Sequence, residues 1–262
     1  MSYKLSHCFI ALSVAVCINA CAGNNALHTA GPERWPHGAM AVTANPHATA
    51  AAIMMLEQDG HAVDAAIAAH LVLGLVEPQS SGIGGGGFML VYSHDSRSLV
   101  FHDGRETAPA SAEPDLFMLD GEVMNFLRAW QSGKAIGAPG AVALYKQAHE
   151  LHGRLPWIDL FQPAIDLANN GFAVSPRLAA FLPRLRSISR LDENPGSKEY
   201  FYPDGAPLPV GFLRKNPAYA TTLHRIAQEG PSAFYEGAIA QEIARVAQAE
   251  PDGGTLTEAD LA

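Results

Sequence analysis

The stretch EPQSSGIGGGGFMLVYSHDSRSLVFHDGRETAPASA at residues 77–112 decides the fold of this chain. Five glycines lead into two apolar runs at residues 88–92 and 99–102, and a polar segment at residues 94–98 separates the runs. Two short apolar runs joined by a polar turn predict an antiparallel β-hairpin. Because the glycines precede the first run directly, we expect their loop to lead the chain into this hairpin.

Two helices are predicted upstream of the glycines, after a short strand at residues 39–43. Residues 46–58 begin with a proline, which a first helical turn tolerates, and end before an Asp-Gly turn. Residues 63–76 are almost wholly apolar, so this second helix must be buried. His70 lies within it without a metal-ligating residue at helical spacing, which favours a hydrogen-bonded core histidine over a metal ligand.

Helices punctuated by proline and glycine dominate the chain after residue 112. Residues 191–209 are rich in Pro, Gly and Asp and are typical of an exposed loop. Residues 257–260 have the pattern of a capping box whose helix has barely begun when the sequence stops, which indicates a fragment. Helical periodicity predicts further helices at residues 139–152, 156–170, 177–189, 219–228 and 237–249.

The composition is that of an acidic globular protein. Its 262 residues are 48% hydrophobic, enough for a sizeable core, and 17 Lys and Arg face 26 Asp and Glu. The resulting negative field repels phosphate backbones, and no Lys/Arg cluster offsets it locally. We therefore expect no nucleic-acid partner.

Residues 1–22 are predicted to be an export signal. Lys4 precedes an apolar run at residues 8–18 that is too short to span a bilayer. Cleavage is expected either after Ala22 or before Cys21, where Ile-Asn-Ala-Cys resembles a lipoprotein signal in which the asparagine fits poorly. The protein is thus expected to be periplasmic or extracellular, and membrane-attached if Cys21 carries a lipid. All three cysteines lie in this leader, so the mature body is expected to hold no disulfide and no thiolate metal site.

Several patterns resemble known sites but lack their context. The glycines at residues 82–87 have the spacing of a dinucleotide fingerprint, yet that fingerprint follows a strand and opens a helix, the reverse of the order here. Backbone with positive φ, a close approach to another backbone, and a pocket wall stay open as their roles. Ser80 and Ser81 lack the Gly-x-Ser-x-Gly elbow of a nucleophile. His149 and His152 lack the zinc-protease spacing and are expected at the surface, and we expect neither a metal nor another cofactor.

The charged cluster Asp103-Gly104-Arg105-Glu106 ends the second predicted strand. A guanidinium at this place could reach into a cleft and hold a carboxylate through two parallel hydrogen bonds. A local surface salt bridge explains the same residues, and composition alone favours that second interpretation.

Six segments together closely resemble the large-subunit region of bacterial γ-glutamyltransferases (γ-glutamyltranspeptidases). Their number, order and spacing make a chance match very improbable, and the resemblance covers residues 38–262. The segments are VEPQSSGIGGGGFML (76–90), DGRETAPASA (103–112), GAPGAV (137–142), HGRLPWIDLFQPAIDLANNGF (152–172), TLHRIAQEGPSAFYEGAIAQEI (222–243) and GGTLTEADLA (253–262).

This resemblance implies an α+β fold, the four-layer αββα sandwich of the N-terminal nucleophile hydrolases, of which the chain holds the helix-rich large-subunit part. It implies a precursor that cuts itself into a large and a small subunit, whose new N-terminal Thr attacks γ-glutamyl amides such as glutathione. The γ-glutamyl-enzyme then passes its acyl group to water, an amino acid or a peptide. In such relatives an arginine in the segment matching DGRETAP binds the α-carboxylate of the γ-glutamyl group. By position this substrate-binding residue is Arg105, which reverses the preference for a surface salt bridge.

The resemblance also places the nucleophile outside this sequence. The catalytic Thr, the oxyanion-hole glycines and the other glutamate-binding residues belong to the small subunit, which would lie beyond Ala262. Thr221, Thr222, Thr255 and Thr257 stand in helical or capping contexts and are not candidates for the nucleophile. The 262-residue chain by itself is therefore expected to be inactive and poorly stable.

Two alternatives stay open. One is a glutaryl or cephalosporin acylase of the same fold, which Arg105 does not separate from a γ-glutamyltransferase. The other is a catalytically inactive binding protein that keeps the large-subunit shape, and the residues beyond Ala262 decide that case.

Overall fold

The computed structural model describes residues 38–262 of the chain. Helices account for most of the regular structure, and the predicted α+β character is confirmed. Short 3₁₀ helices occur at Gly133–Ala135, Trp157–Phe161 and Pro203–Gly205. The remaining elements are α1 (Pro46–Glu57), α2 (Ala62–Val76), β1 (Gly87–Ser93), β2 (Ser98–Gly104), β3 (Met118–Leu119), β4 (Glu122–Val123), α3 (Phe126–Gln131), α4 (Ala141–His152), α5 (Gln162–Asn170), β5 (Phe172–Ala173), α6 (Pro176–Ser189), α7 (Pro195–Phe201), β6 (Leu213–Arg214), α8 (Pro217–Glu229), α9 (Ser232–Tyr235), α10 (Gly237–Ala247) and α11 (Glu258–Leu261).

Helix α2 lies at the centre of the core, as its apolar sequence predicts. Ile67, Ala68 and Leu71 have no exposed surface. A helix that is apolar on all sides needs neighbours on all sides, and α2 packs against α1, α4 and α5. The side chain of Asn45 caps α1 by accepting the N–H of His47, and the side chain of His61 caps α2 by accepting the N–H of Val63, so both helices begin at fixed places.

The predicted hairpin is confirmed. Strands β1 and β2 pair antiparallel, with Gly87 opposite Gly104 and Ser93 opposite Ser98. Val91 and His102 are buried on the face that packs against α4. The opposite face is apolar and uncovered in the part of the chain that the structure describes, as expected for a strand with a side-chain period of two. It consists of Phe88, Leu90, Tyr92, Leu99 and Phe101, whose exposed fractions run from 56% to 66%.

The glycine loop, the end of the hairpin and the start of α4 approach each other at atomic contact. A Cβ on Gly86 or on Gly140 would lie 2.3 Å from the carbonyl oxygen of Gly104. The Gly85 carbonyl accepts the N–H groups of Gly140 and Ala141, at 3.1 and 3.0 Å, and so satisfies the start of α4. None of the loop glycines has a positive φ. Of the roles that the sequence leaves open for these glycines, close backbone approach is therefore confirmed for Gly86.

Gly86→Ala is expected to destabilise the complete protein by about 1–3 kcal/mol, as overpacking does in a tight site. The three atoms nearest to the new Cβ are all backbone atoms, which cannot rotate away. Gly82→Ala is the matched control in the same loop, because its Cβ would meet nothing within 4 Å. Thermal unfolding of both variants measures the difference, and equal melting temperatures would contradict the close-approach role.

The expectation of an exposed loop at residues 191–209 is wrong. This segment contains α7 and two buried side chains, Tyr202 and Leu208. The Tyr202 hydroxyl donates to the Leu182 carbonyl of α6 at 2.8 Å. Tertiary packing explains the difference, since Tyr202 and Leu208 form a separate apolar cluster with α6 that outweighs the loop-like composition.

Two smaller expectations also differ from the structure. Residues 39–43 form no strand. The helix expected from residue 156 begins instead as the 3₁₀ helix and becomes α-helical at Gln162. Pro163 explains this break, because it lacks the N–H that would bond to the carbonyl four residues earlier.

The predicted export signal at residues 1–22, with Cys21, lies outside the described residues. Within residues 38–262, no helix has the length and apolarity needed to cross a membrane. The same part of the chain holds no group of three or more His, Cys, Asp or Glu residues arranged for a metal ion.

Candidate functional site

A polar pocket of about 440 Å³ lies where the glycine loop meets α2. Its walls are His70 from α2, residues 78–82 and 84–86 of the loop, and Glu106 beyond β2. Clefts of roughly 300–1,000 Å³ are typical of small-molecule sites. The loop thus forms a pocket wall as well as a backbone junction, and a small polar ligand would fit the space.

Arg105 lies at the edge of this pocket, directly after the last residue of β2. Its backbone N–H donates to Asp103 Oδ1 at 2.9 Å, which fixes the turn. Its side chain is 68% exposed, and its Nε lies 3.4 Å from Glu106 Oε2. The guanidinium is not part of the pocket wall but adjoins it through Glu106. The local salt bridge proposed from composition is present, and the exposed N–H groups leave donors for an anionic ligand.

A buried carboxylate fixes the start of the glycine loop. Glu77 is 1% exposed, and it accepts hydrogen bonds from Asn45 Nδ2 at 2.8 Å and from Gln79 Nε2 at 2.6 Å. Arg177 of α6 lies 3.9 Å from Glu77 Oε2 and donates to Ser80 Oγ at 3.1 Å. A buried carboxylate is stable only when it has hydrogen-bond or charge partners. The partners of Glu77 come from the start of α1, the loop and α6, so this network connects the loop to both helices. The sequence motifs do not predict this network, although a carboxylate directly after an apolar helix is a signal for such a role.

His70 joins the core to the pocket. Its Nδ1 forms a hydrogen bond with the hydroxyl of buried Tyr145. Burial lowers the pKa of His70, so its imidazole is neutral near pH 7. The interpretation of His70 as a hydrogen-bonded histidine is confirmed. The structure also shows that His70 forms part of the pocket wall.

The two serines of the loop are not arranged as nucleophiles. Ser80 Oγ accepts from Arg177, and Ser81 Oγ is shielded from solvent without a protein partner. Neither hydroxyl bonds to a histidine within residues 38–262, so the described chain contains no Ser–His pair of the kind that activates a hydroxyl.

The expectation that His149 and His152 lie at the surface holds only in part, because both are half-buried. The His149 side chain is 14% exposed, and its Nε2 donates to the Leu155 carbonyl at 2.8 Å. His152 Nε2 lies 3.2 Å from Nε2 of buried His102. The last turn of α4 faces the hairpin on one side and the following turn on the other, which the helical pattern alone does not reveal.

Thr221 and Thr222 lie within α8 and Thr257 caps α11, so these threonines stand in the expected helical and capping contexts. The Thr257 N–H and hydroxyl both donate to Asp260 Oδ2, at 2.8 and 2.7 Å, and the predicted capping box is confirmed. The hydroxyls of Thr221 and Thr222 donate to carbonyls one turn earlier in α8. None of the three has the environment of an activated hydroxyl.

A family model described as Gamma-glutamyltranspeptidase matches residues 48–262. The chain belongs to this family. It is 36% identical over 223 residues to the Glutathione hydrolase proenzyme of Escherichia coli (strain K12). The aligned region covers 85% of this chain and 38% of that protein. It matches the crystal structure of Helicobacter pylori gamma-glutamyltranspeptidase with a TM-score of 0.79 at 32% identity, over 85% of this chain and 63% of that one. Cephalosporin acylase from Bacillus halodurans matches with a TM-score of 0.65 at 26% identity, over 88% of this chain and 44% of that one.

These likenesses confirm the resemblance seen in the sequence and the N-terminal nucleophile hydrolase fold that it implies. The acylase is the more distant relative by both identity and TM-score. The γ-glutamyltranspeptidase-family chain spans about a third of the length of the curated relatives it matches. The substrate role of Arg105 and the domain limits at residues 1–22 and 38–262 stay predictions.

Proposed function

We propose that the complete protein is a γ-glutamyltransferase and glutathione hydrolase, which cleaves γ-glutamyl amides such as glutathione. The exposed guanidinium of Arg105 beside a polar pocket, in a chain of this family, is the observation that carries the proposal. A γ-glutamyl group ends in an α-carboxylate, and guanidinium N–H groups hold a carboxylate in a fixed orientation. Arg105 would thereby set the position of the γ-carbonyl carbon.

The reaction itself would use a Thr supplied by the small subunit. Its hydroxyl oxygen attacks the γ-carbonyl carbon, the amine leaves with a proton, and a γ-glutamyl ester results. Water or the amino group of an acceptor then attacks that ester and releases the Thr hydroxyl. In this reaction the present chain would bind the γ-glutamyl donor through Arg105 and form the pocket around it.

We propose that the small subunit of the same precursor covers the outer face of the hairpin. The five large apolar side chains on that face include Phe88 and Phe101, whose ring centroids are 5.5 Å apart. Contiguous exposed apolar surface of this kind marks a protein contact. The E. coli relative is named a proenzyme, which supports a processed precursor.

Assay of the complete protein on a γ-glutamyl anilide and on the matching glutaryl anilide tests the function. The two acyl groups share the terminal carboxylate and differ in the α-ammonium group, so Arg105 alone would hold either. We expect the γ-glutamyl donor to react with the higher kcat/KM. Preference for the glutaryl compound would identify an acylase, and turnover of neither would identify an inactive binding protein.

We also propose that the protein is exported to the periplasm or the outside of the cell. The support is the leader-like sequence of residues 1–22. Fractionation of cells that express the complete gene, with and without Cys21→Ser, distinguishes a soluble exported protein from a lipid-anchored one.

A further inference from the structure

Two histidine nitrogens meet between the hairpin and the end of α4. His102 of β2 is 3% exposed, and its Nε2 lies 3.2 Å from Nε2 of His152, the last residue of α4. The two rings are nearly perpendicular, with an interplanar angle of 86°. Neither residue lines the polar pocket, and the proposed function gives neither of them a role.

The hydrogen bond on the far side of the His102 ring assigns its protons. His102 Nδ1 lies 3.2 Å from Gln147 Oε1, and an amide oxygen only accepts. Nδ1 therefore carries the proton, and Nε2 of the neutral ring carries a lone pair directed at His152. Histidines that bind metals commonly donate their other ring N–H to such an acceptor, which fixes the tautomer and the ring.

We propose that His102 and His152 bind a divalent transition-metal ion, with Zn²⁺ as the representative, and that water completes its coordination. Two nitrogens at zinc distances of about 2.0–2.1 Å and a tetrahedral angle stand roughly 3.3 Å apart. The observed separation of 3.2 Å is close to this value. The ion takes the place of the proton that lies between the two nitrogens, and His152 then carries its single ring proton on Nδ1, so both ligands remain neutral imidazoles.

The neighbouring groups define the composition of this site. His61 stacks on His152 with ring centroids 6.0 Å apart, but its Nδ1 accepts the N–H of Val63. The His61 proton is consequently on Nε2, and His61 is not a third ligand. The carbonyl end of α4 and the nearby carboxylate of Asp64 favour a cation, whereas the positive charge of Arg154 opposes one. Two ligands and this opposing charge predict a weaker affinity than that of three- or four-ligand zinc sites.

Zn²⁺ titration of the full-length protein, freed of any histidine tag, tests the proposal through its melting temperature. Saturating ZnSO₄ is expected to raise the melting temperature by about 3 °C, because binding to the folded state alone stabilises it. His152→Gln and His102→Gln should each lose the shift, and Gln147→Leu should weaken the apparent affinity about tenfold. His224→Gln is the matched control, since His224 is exposed on α8, and it should keep the shift.

A spectroscopic measurement keeps the proposal falsifiable if a variant folds poorly. Cu²⁺ at one equivalent on the wild-type protein should give an electron paramagnetic resonance spectrum with hyperfine splitting from two imidazole nitrogens. A wild-type spectrum without the two-nitrogen pattern would overturn the proposal. A Zn²⁺ shift that persists in either the His102→Gln or the His152→Gln variant would overturn it as well.

Discussion

Arg105→Ala in the complete protein is expected to raise the KM for a γ-glutamyl anilide about 30-fold, with little change in kcat. The guanidinium would hold the α-carboxylate equally in the ground state and the transition state, so its loss affects KM rather than kcat. Truncating one partner of a buried, hydrogen-bonded charge pair costs about 2–5 kcal/mol, and we expect the lower end of this range because the Arg105 side chain is 68% exposed without substrate. Steady-state kinetics with the purified, processed enzyme gives both constants.

Two further variants and one further readout define the role of Arg105. Arg105→Lys keeps the charge but loses the two-pronged geometry, so an intermediate KM is expected. Arg97→Ala removes another exposed arginine from the turn of the same hairpin and should leave both constants unchanged. The rate of precursor self-cleavage, followed on gels, should be the same in all of them. If self-cleavage and donor affinity were lost together in Arg105→Ala, the residue would be structural.

Asp64→Ala is expected to lower the melting temperature of the complete protein by about 6–12 °C. Asp64 has no exposed surface, and its Oδ2 accepts the backbone N–H groups of His61, Arg154 and Leu155 at 2.7, 2.9 and 3.3 Å. Its removal leaves three donors without their acceptor, each at a cost of about 1 kcal/mol or more. Differential scanning calorimetry or circular dichroism measures the change.

Asp64→Asn separates the loss of an acceptor from the loss of the whole side chain. The amide keeps one acceptor oxygen at nearly the same volume, so its melting temperature should fall less than that of the alanine variant. Asp166→Ala changes an exposed aspartate on α5 and should have little effect. Similar losses for Asp64→Ala and Asp166→Ala would show that the buried contacts do not stabilise the start of α2.

The sequence predicts those helices and strands whose structure is determined by a few adjacent residues. The alternation of the hairpin and the continuous apolar run of α2 each identify a structure from a few adjacent residues, and both predictions are confirmed. The prediction for residues 191–209 is wrong because Tyr202 and Leu208 are buried against α6. No pattern of adjacent residues indicates that contact.

The candidate site also contains features that the sequence predicts and features that depend on tertiary packing. The family resemblance points to Arg105, but the contacts that define its surroundings join residues far apart in sequence. Glu77 meets Asn45 from 32 positions away, and His102 meets His152 across 50 positions. Such pairs depend on how the elements pack together, so local patterns do not predict the role of Glu77 or the contact of His152 with the hairpin.

The uncovered apolar face of the hairpin has a consequence for the order of biosynthesis. A two-stranded hairpin with an exposed apolar face promotes aggregation of a newly synthesised chain until another segment covers that face. If the covering segment belongs to the same precursor, it meets the hairpin at an effective concentration on the order of millimolar, far above that of a separate protein. Making both halves as one polypeptide, and cutting it only after the face is covered, would protect the hairpin throughout its synthesis.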